Sequence, residues 1–158
     1  MEEKLEKAQV QLFREKESRP MYELYGHEME DLIGLRVLGV YIDPAGQEHL
    51  AIETTAGMHY YGTEGGCCSE TWFADLVGVK SLIGQIVRKT TARDLADYDQ
   101  ERTRQEEDAI YCYDLYTDLG ACSVVFRNSS NGYYGGNIYR ETCPVGVLFT
   151  QLVADYSA

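Results

Sequence analysis

The stretch Leu35-Arg36-Val37-Leu38-Gly39-Val40-Tyr41-Ile42, followed by Asp43-Pro44-Ala45-Gly46, Gln47–Thr55, Ala56-Gly57 and Met58–Thr63, decides the fold. Its first segment is rich in Leu, Val and Ile and reads as a strand. Asp43-Pro44-Ala45-Gly46 is a turn by its chemistry, since Pro fixes φ and Gly permits positive φ. In Gln47–Thr55, Leu50, Ile52 and Thr54 alternate with Ala51, Glu53 and Thr55, a second strand. Ala56-Gly57 turns again into a third. Three short strands joined by tight turns form a meander, so the sheet is expected to be antiparallel.

Outward from this meander, Gly65-Gly66-Cys67-Cys68-Ser69 breaks the rhythm. Ser69 is a good helix N-cap, and Glu70 suits a first turn. The spacing of Trp72, Phe73, Leu76 and Val77 predicts one buried helical face, closed by Gly78. Gln85–Ala92 reads as a strand, and Ala109–Asp118 and Ala121–Arg127 as two more around Leu119-Gly120. Asn128–Asn131 reads as a polar loop, with Tyr133–Arg140 returning as its partner strand. Val145–Tyr156 is apolar enough for a final core element, helix or strand. At the other end, Glu2–Glu17 carries a thin apolar stripe among charged residues and predicts a helix closed by Pro20. It is either a solvated helix or one that docks on a second subunit.

The expected fold class is therefore α+β: a mainly antiparallel twisted sheet of about six or seven strands, an N-terminal helix, and one short helix after the Cys-Cys loop. Residues 1–20 form the charged helix, and 21–158 a single ligand-binding domain with an acidic insertion at about 93–108. That insertion holds seven acids and three arginines. A surface helix or loop is expected there, and its charges read most simply as a solvated face.

The 158 residues, 44% hydrophobic and 25% charged, can bury a core without disulfide or metal staples. A net charge of −12 opposes direct nucleic-acid binding. No apolar run approaches the ~20 residues of a membrane span, and the charged Met1–Ser18 does not read as a secretory signal. Five cysteines, an odd number with Cys67 and Cys68 adjacent, suit a reducing cytosol.

Chemistry concentrates in Phe126-Arg127-Asn128-Ser129-Ser130-Asn131-Gly132-Tyr133-Tyr134-Gly135-Gly136-Asn137. Asn-Gly signals a hairpin, yet a hairpin needs only those two residues. Asn amides can bond base edges or hydroxyls, Tyr can stack on a base, Arg can clamp a phosphate, and Gly lets backbone approach a ligand. The plainer reading is an elaborate hairpin with a cross-strand tyrosine pair. In the Cys-Cys loop a helix start would favour a thiolate, but no base is placed beside it. A neutral pair packed under Trp72 is the simpler account. Cys112, Cys122 and Cys143 are isolated, and His27, His49 and His59 are widely spaced, so no metal site is expected. No catalytic or phosphate-loop motif stands out. The expectation is a binding protein with no catalytic residue and no cofactor.

The segments Gly66-Cys67-Cys68-Ser69-Glu70-Thr71-Trp72-Phe73, Val77-Gly78-Val79, Leu82-Ile83-Gly84 and Arg127–Gly136 resemble a family of small phage and prophage proteins, over about Leu32 to Arg140. That family in turn resembles the Thoeris anti-defence sponges. The resemblance implies an oligomeric protein of the host-cell cytoplasm during infection. Such a protein sequesters a nucleotide-derived immune messenger, cyclic ADP-ribose-like or a cyclic oligonucleotide, without cleaving it, in pockets at subunit interfaces. A homo-oligomer is expected accordingly. The N-terminal extension and the acidic insertion depart from the family. The residues suited to the ligand are Phe126, Arg127, Asn128, Asn131, Tyr133, Tyr134 and Asn137, with Arg88 and Arg140 adding positive charge from flanking strands. Two rivals stand beside this reading. One is an acidic inhibitor that imitates nucleic acid and blocks a bacterial defence complex. The other is a small hydrolase of nucleotide signals.

Overall fold

A computed structural model describes residues 26–66, 68–95, 100–132 and 135–158. The N-terminal helix expected over 1–20, Cys67, and the tyrosines 133 and 134 lie outside the described residues.

The meander forms as read. Strands β1 (Val37–Ile42), β2 (His49–Thr54) and β3 (Gly57–Gly65) pair antiparallel in sequence order. The remaining strands are β4 (Glu70–Val77), β5 (Lys89–Asp94), β6 (Glu107–Thr117), β7 (Gly120–Ser130), β8 (Gly136–Glu141), β9 (Thr150–Leu152) and β10 (Tyr156–Ser157). They make two five-stranded sheets rather than one of six or seven. The first runs β8-β3-β2-β1-β9 and the second β10-β4-β7-β6-β5. The Gly65–Ser69 corner carries the chain from the first sheet to the second, and the turn after Ser130 carries it back.

The sheets stack face to face on one core. Val37, Val40, Ile42, Leu50, Ile52 and Tyr61 from the first meet Phe73, Leu76, Leu115, Val124 and Phe126 from the second. Burying such side chains contributes roughly 1.5–3 kcal/mol each, which is what drives the layers together. Glycine sets the closest approach. A Cβ on Gly136 would stand 2.2 Å from Thr71 Oγ1 and 2.6 Å from Asn128 Nδ2 across the interface. Any larger residue there would wedge the sheets apart.

Several expectations are corrected. The helix after the Cys-Cys loop is strand β4, in register with β7 from Glu70↔Ser129 to Val77↔Ser123. Both its faces are covered: Phe73 and Leu76 enter the core, while Trp72 lies under the Arg104 guanidinium, 3.8 Å from the ring centroid. A strand buried on both sides loses the polar alternation that marks a half-buried one. The irregularity between Phe73 and Asp75 breaks the period further, leaving spacings that mimic a helix. Among the described residues there is no α-helix, only short 3₁₀ turns at Glu30–Leu32, Val79–Ser81 and Gln100–Arg102.

Asn128–Asn131 is not a loop through its length, because β7 runs to Ser130. Val145–Tyr156 is a core element only in its second half, where Leu152 and Tyr156 reach the core from short strands. It runs as irregular chain into two short strands, with Val145 100% and Leu148 85% exposed. The acidic insertion is partly strand, since Arg93 and Asp94 end β5 and Glu107 and Asp108 open β6, while 100–106 folds back on the outer face of the second sheet. Arg102 pairs with buried Asp75 at 2.7 Å, and Thr103 Oγ1 donates to Asp108 Oδ1 at 2.5 Å.

Candidate functional site

A cleft of about 850 Å³ opens between the free edge of β8 and the inner face of β5, β6 and β7. Its origin is geometric. The second sheet extends past the edge of the first, and β5 and β8 are the edge strands on either side of the gap. The lining includes Glu64, Gly65, Gly66, Gly135, Gly136 and Asn137 on one side and Ala92, Asp94, Tyr111, Tyr113 and Phe126 on the other. Glycine-rich lining leaves backbone exposed at short range to whatever enters.

The second wall is aromatic. The hairpin register places Tyr111 opposite Phe126. Phe126 stacks on Tyr111 with centroids 5.2 Å apart and on Tyr113 at 5.8 Å. Alternation sends Tyr111, Tyr113 and Phe126 to the same face, forming a continuous slab of three rings. Burial, then the neighbouring Asp94 carboxylate, raises the Tyr111 hydroxyl above its ordinary pKa. Burial and then Glu28 raise that of Tyr113 likewise. Both stay protonated as donors at neutral pH.

A short strip after residue 25 crosses the end of the gap. Gly26 lies so close to β5 that a Cβ on it would meet Ala92 Cβ at 3.2 Å. Glu28 then ties the two layers together. Its Oε1 accepts from Asn137 Nδ2 at 2.9 Å, while Oε2 accepts from the Gly26 amide at 2.9 Å and from the Tyr113 hydroxyl. A second carboxylate, Asp31, fastens the strip to the first sheet. Tyr61 donates to it at 2.8 Å, His59 Nδ1 lies 2.6 Å away and Arg140 Nε 2.9 Å away.

The structure divides the residues expected to form the site. Phe126 and Asn137 line the cleft. Asn128 is the next inward residue of β7, wholly buried, with its side chain against the Gly65–Gly136 contact. Its Nδ2 donates to Thr71 Oγ1 at 2.8 Å, and Thr71 in turn donates to the Glu64 carbonyl at 3.2 Å. Thr71 therefore accepts from Asn128, which fixes the amide orientation. Asn128 Oδ1 is left buried with no hydrogen-bond partner among the described residues.

Arg127 is not in the cleft. One residue along a strand turns a side chain to the other face. There it is 0% exposed and pairs with Asp108 Oδ2 at 2.7 Å. The expected phosphate clamp is thus part of a buried structural pair. Arg88 sits at the opposite end of β5 from Asp94, roughly 20 Å away at about 3.3 Å per residue. It pairs with Asp118 at the surface. Arg140 is on β8 but engaged with Asp31, its guanidinium 5.5 Å from the Tyr61 ring centroid. Asn131 is exposed in the turn after β7.

Sequence reasoning missed Tyr111, Tyr113, Asp94 and Glu28. The tyrosines had a signal. Counting back from the Leu119-Gly120 turn puts Tyr111 across from Phe126, and i, i+2 spacing puts Tyr113 on the same face. Glu28 had none, since only the tertiary fold brings it to Tyr113.

The described cysteines are sealed or peripheral. Burial and then Asp114 push the Cys112 thiol up to about 11, and burial pushes Cys122 up to about 12, so neither is a nucleophile at neutral pH. No group of three or more His, Cys, Asp or Glu suited to a metal ion occurs among the described residues. No helix there is long and apolar enough to cross a membrane.

The fold and cleft define a two-sheet antiparallel β protein with an interlayer, ring-lined cavity. The chain belongs to the family described as a domain of unknown function, DUF7448, whose model matches residues 30–139. That span holds β1 to β7 and most of β8, and leaves Glu28 and Arg140 just outside. No curated protein and no solved structure matches the chain.

Proposed function

We propose that the chain is a binding protein that holds a small nucleotide-derived messenger in the β5–β8 cleft without cleaving it, and that it serves a phage as an anti-defence sponge. The observation that carries the binding part is the slab of Tyr111, Phe126 and Tyr113 facing a glycine-rich edge across about 850 Å³. Cavities of this size accept drug-sized ligands. Stacking of a base on an aromatic face is worth about 1–3 kcal/mol. The phage setting, the choice among cyclic ADP-ribose-like and cyclic oligonucleotide messengers, and assembly as a homo-oligomer rest on the sequence resemblance. Titration calorimetry with cyclic ADP-ribose and with a cyclic dinucleotide tests the reading. Saturable binding of one, with the ligand recovered at unchanged mass, is the expected outcome. Silence with both, or a changed mass, contradicts it.

One observation favours the rival reading as an acidic inhibitor of a defence complex. In the 100–108 segment Arg102 turns inward to Asp75, and the exposed charges are Glu101, Glu106 and Glu107 against Arg104, which lies over Trp72. The outward charge of that segment is thus negative. Such binding to a basic partner would weaken steeply with salt, whereas a stacking cleft would respond little.

A further inference from the structure

Among the described residues, the charged side chains that face the cleft are carboxylates, and an amide oxygen able to accept hydrogen bonds lies beside them. Asp94 and Glu64 line it and are exposed. Asp94 is close enough to raise the Tyr111 hydroxyl pKa. Glu28 holds the closing strip, with both its oxygens already accepting. Asn128 Oδ1, whose orientation Thr71 fixes, is a buried acceptor beside the Gly65–Gly136 contact with no partner among the described residues. The one cation in the lining among the described residues, Arg93, turns to the other face, where its Nε donates to Asp114 Oδ2 at 2.7 Å. Strand alternation explains this: Ala92 and Asp94 face inward opposite Tyr113 and Tyr111, and Arg93 outward opposite Cys112.

A phosphate binds where amides, arginines or lysines converge. Here the charged groups of the described walls are carboxylates, and a phosphate inside would meet like charge in a partly desolvated space. A flat ring bearing N–H donors meets the opposite situation. It can stack on Tyr111 while its amino group reaches a carboxylate or amide oxygen.

We infer that the cleft receives the base end of its ligand, an amino-bearing heteroaromatic ring of the adenine type, and keeps phosphate outside. This deepens the binding function proposed above and rests on it. That reading says only that a nucleotide-derived molecule is held; this one says which end enters and which chemistry is refused.

Calorimetry on the full chain with adenosine, adenosine monophosphate and purine riboside tests the inference. Purine riboside lacks the exocyclic amine. Adenosine is expected to bind about ten-fold tighter than the monophosphate, through removed like-charge repulsion, and about ten-fold tighter than purine riboside, through the donor. In Asp94→Asn the gap between adenosine and the monophosphate should fall below about three-fold. It should shrink in the wild type as salt is raised. Asp94 is an exposed residue at the end of an edge strand, and an unchanged melting temperature verifies that the variant folds. The inference is overturned if the monophosphate or purine riboside binds as tightly as adenosine, or if the Asp94→Asn variant keeps the full gap. It is also overturned if cyclic ADP-ribose binds while none of these three compounds does, an outcome that leaves the broader binding function standing. If nothing binds, including cyclic ADP-ribose and the cyclic dinucleotide, both fail together.

Discussion

One strand, β7, presents two faces built from similar residues with opposite fates. Toward the first sheet it offers Phe126 and Asn128, beside an open cleft and an acceptor without a partner among the described residues. Toward the outside it offers Arg127 and Ser129, enclosed by Asp108, Thr103 and the backbone amides of Arg104 and Gln105. The outer face is closed over: a buried charge meets its counter-charge, and a serine hydroxyl donates to Asp108 at 2.5 Å. The inner face keeps room because glycines stand where side chains would fill it. Polar richness in a sequence therefore marks either a site or a buried network, and strand alternation assigns each residue to one or the other.

The largest way to break this comparison is on the outer face. Arg127→Ala removes the buried counter-charge of Asp108, and Asp108→Ala that of Arg127, so each should cost about 3–5 kcal/mol in urea unfolding. Replacing both with apolar residues of similar volume should cost less than either single change. A single change that costs under about 1 kcal/mol would show that the pair is not sealed.

Gly136→Ala probes the inner face. Its Cβ would press on Thr71 Oγ1 at 2.2 Å, and overpacking of this kind costs about 1–3 kcal/mol. Adding Thr71→Ala should recover part of the loss. No loss at all would mean that the sheets do not touch there.

The two faces also hold one buried thiol each, Cys122 inside and Cys112 outside. Both thiols are raised above their ordinary value of 9.0, to about 12 and about 11. A raised acid favours the folded state in its protonated form. That contribution is complete below pH 9 and is lost as pH rises toward 11 and 12. The expected slope is about 1.4 kcal/mol per pH unit for each thiol ionised in the unfolded chain. Cys112→Ala should halve the thiol part of the slope, read from urea midpoints between pH 8 and 10.

The smallest effect is expected far from both faces. Arg88→Ala removes an exposed pair with Asp118 and should change stability by less than about 0.5 kcal/mol, with ligand affinity untouched. A clear affinity loss would return Arg88 to the site.

What was legible in the sequence follows from these contrasts. The β1–β2–β3 meander was readable because its turns carry Pro and Gly and one of its strands alternates. The β6–β7 hairpin was readable from Leu119-Gly120. Strand β4 was not, because its two covered faces erase the alternation that separates strand from helix. Asn128, Ser129 and Ser130 favour turns by propensity, yet Asn128 donates to Thr71 and Ser129 to Asp108 inside a strand. Val145 and Leu148 looked like core and are exposed, since apolar content without a facing partner predicts no burial. Of the site, Phe126 and Asn137 were found because they fall in an unusual motif, and Arg127 was misassigned for the same reason. Glu28 depends on contacts more than 80 residues apart in sequence, to Tyr113 and Asn137. No local pattern could supply it.

The most direct test of the central claim is the mass of whatever the protein carries. Protein purified from messenger-producing cells should release, on denaturation, an intact nucleotide-type molecule. Tyr111→Ala, which removes the exposed end of the ring slab while leaving Phe126 and Tyr113, should release less than about a tenth as much, the loss expected of one stacking interaction. A wild-type protein that releases nothing, or equal amounts from both proteins, would contradict the account.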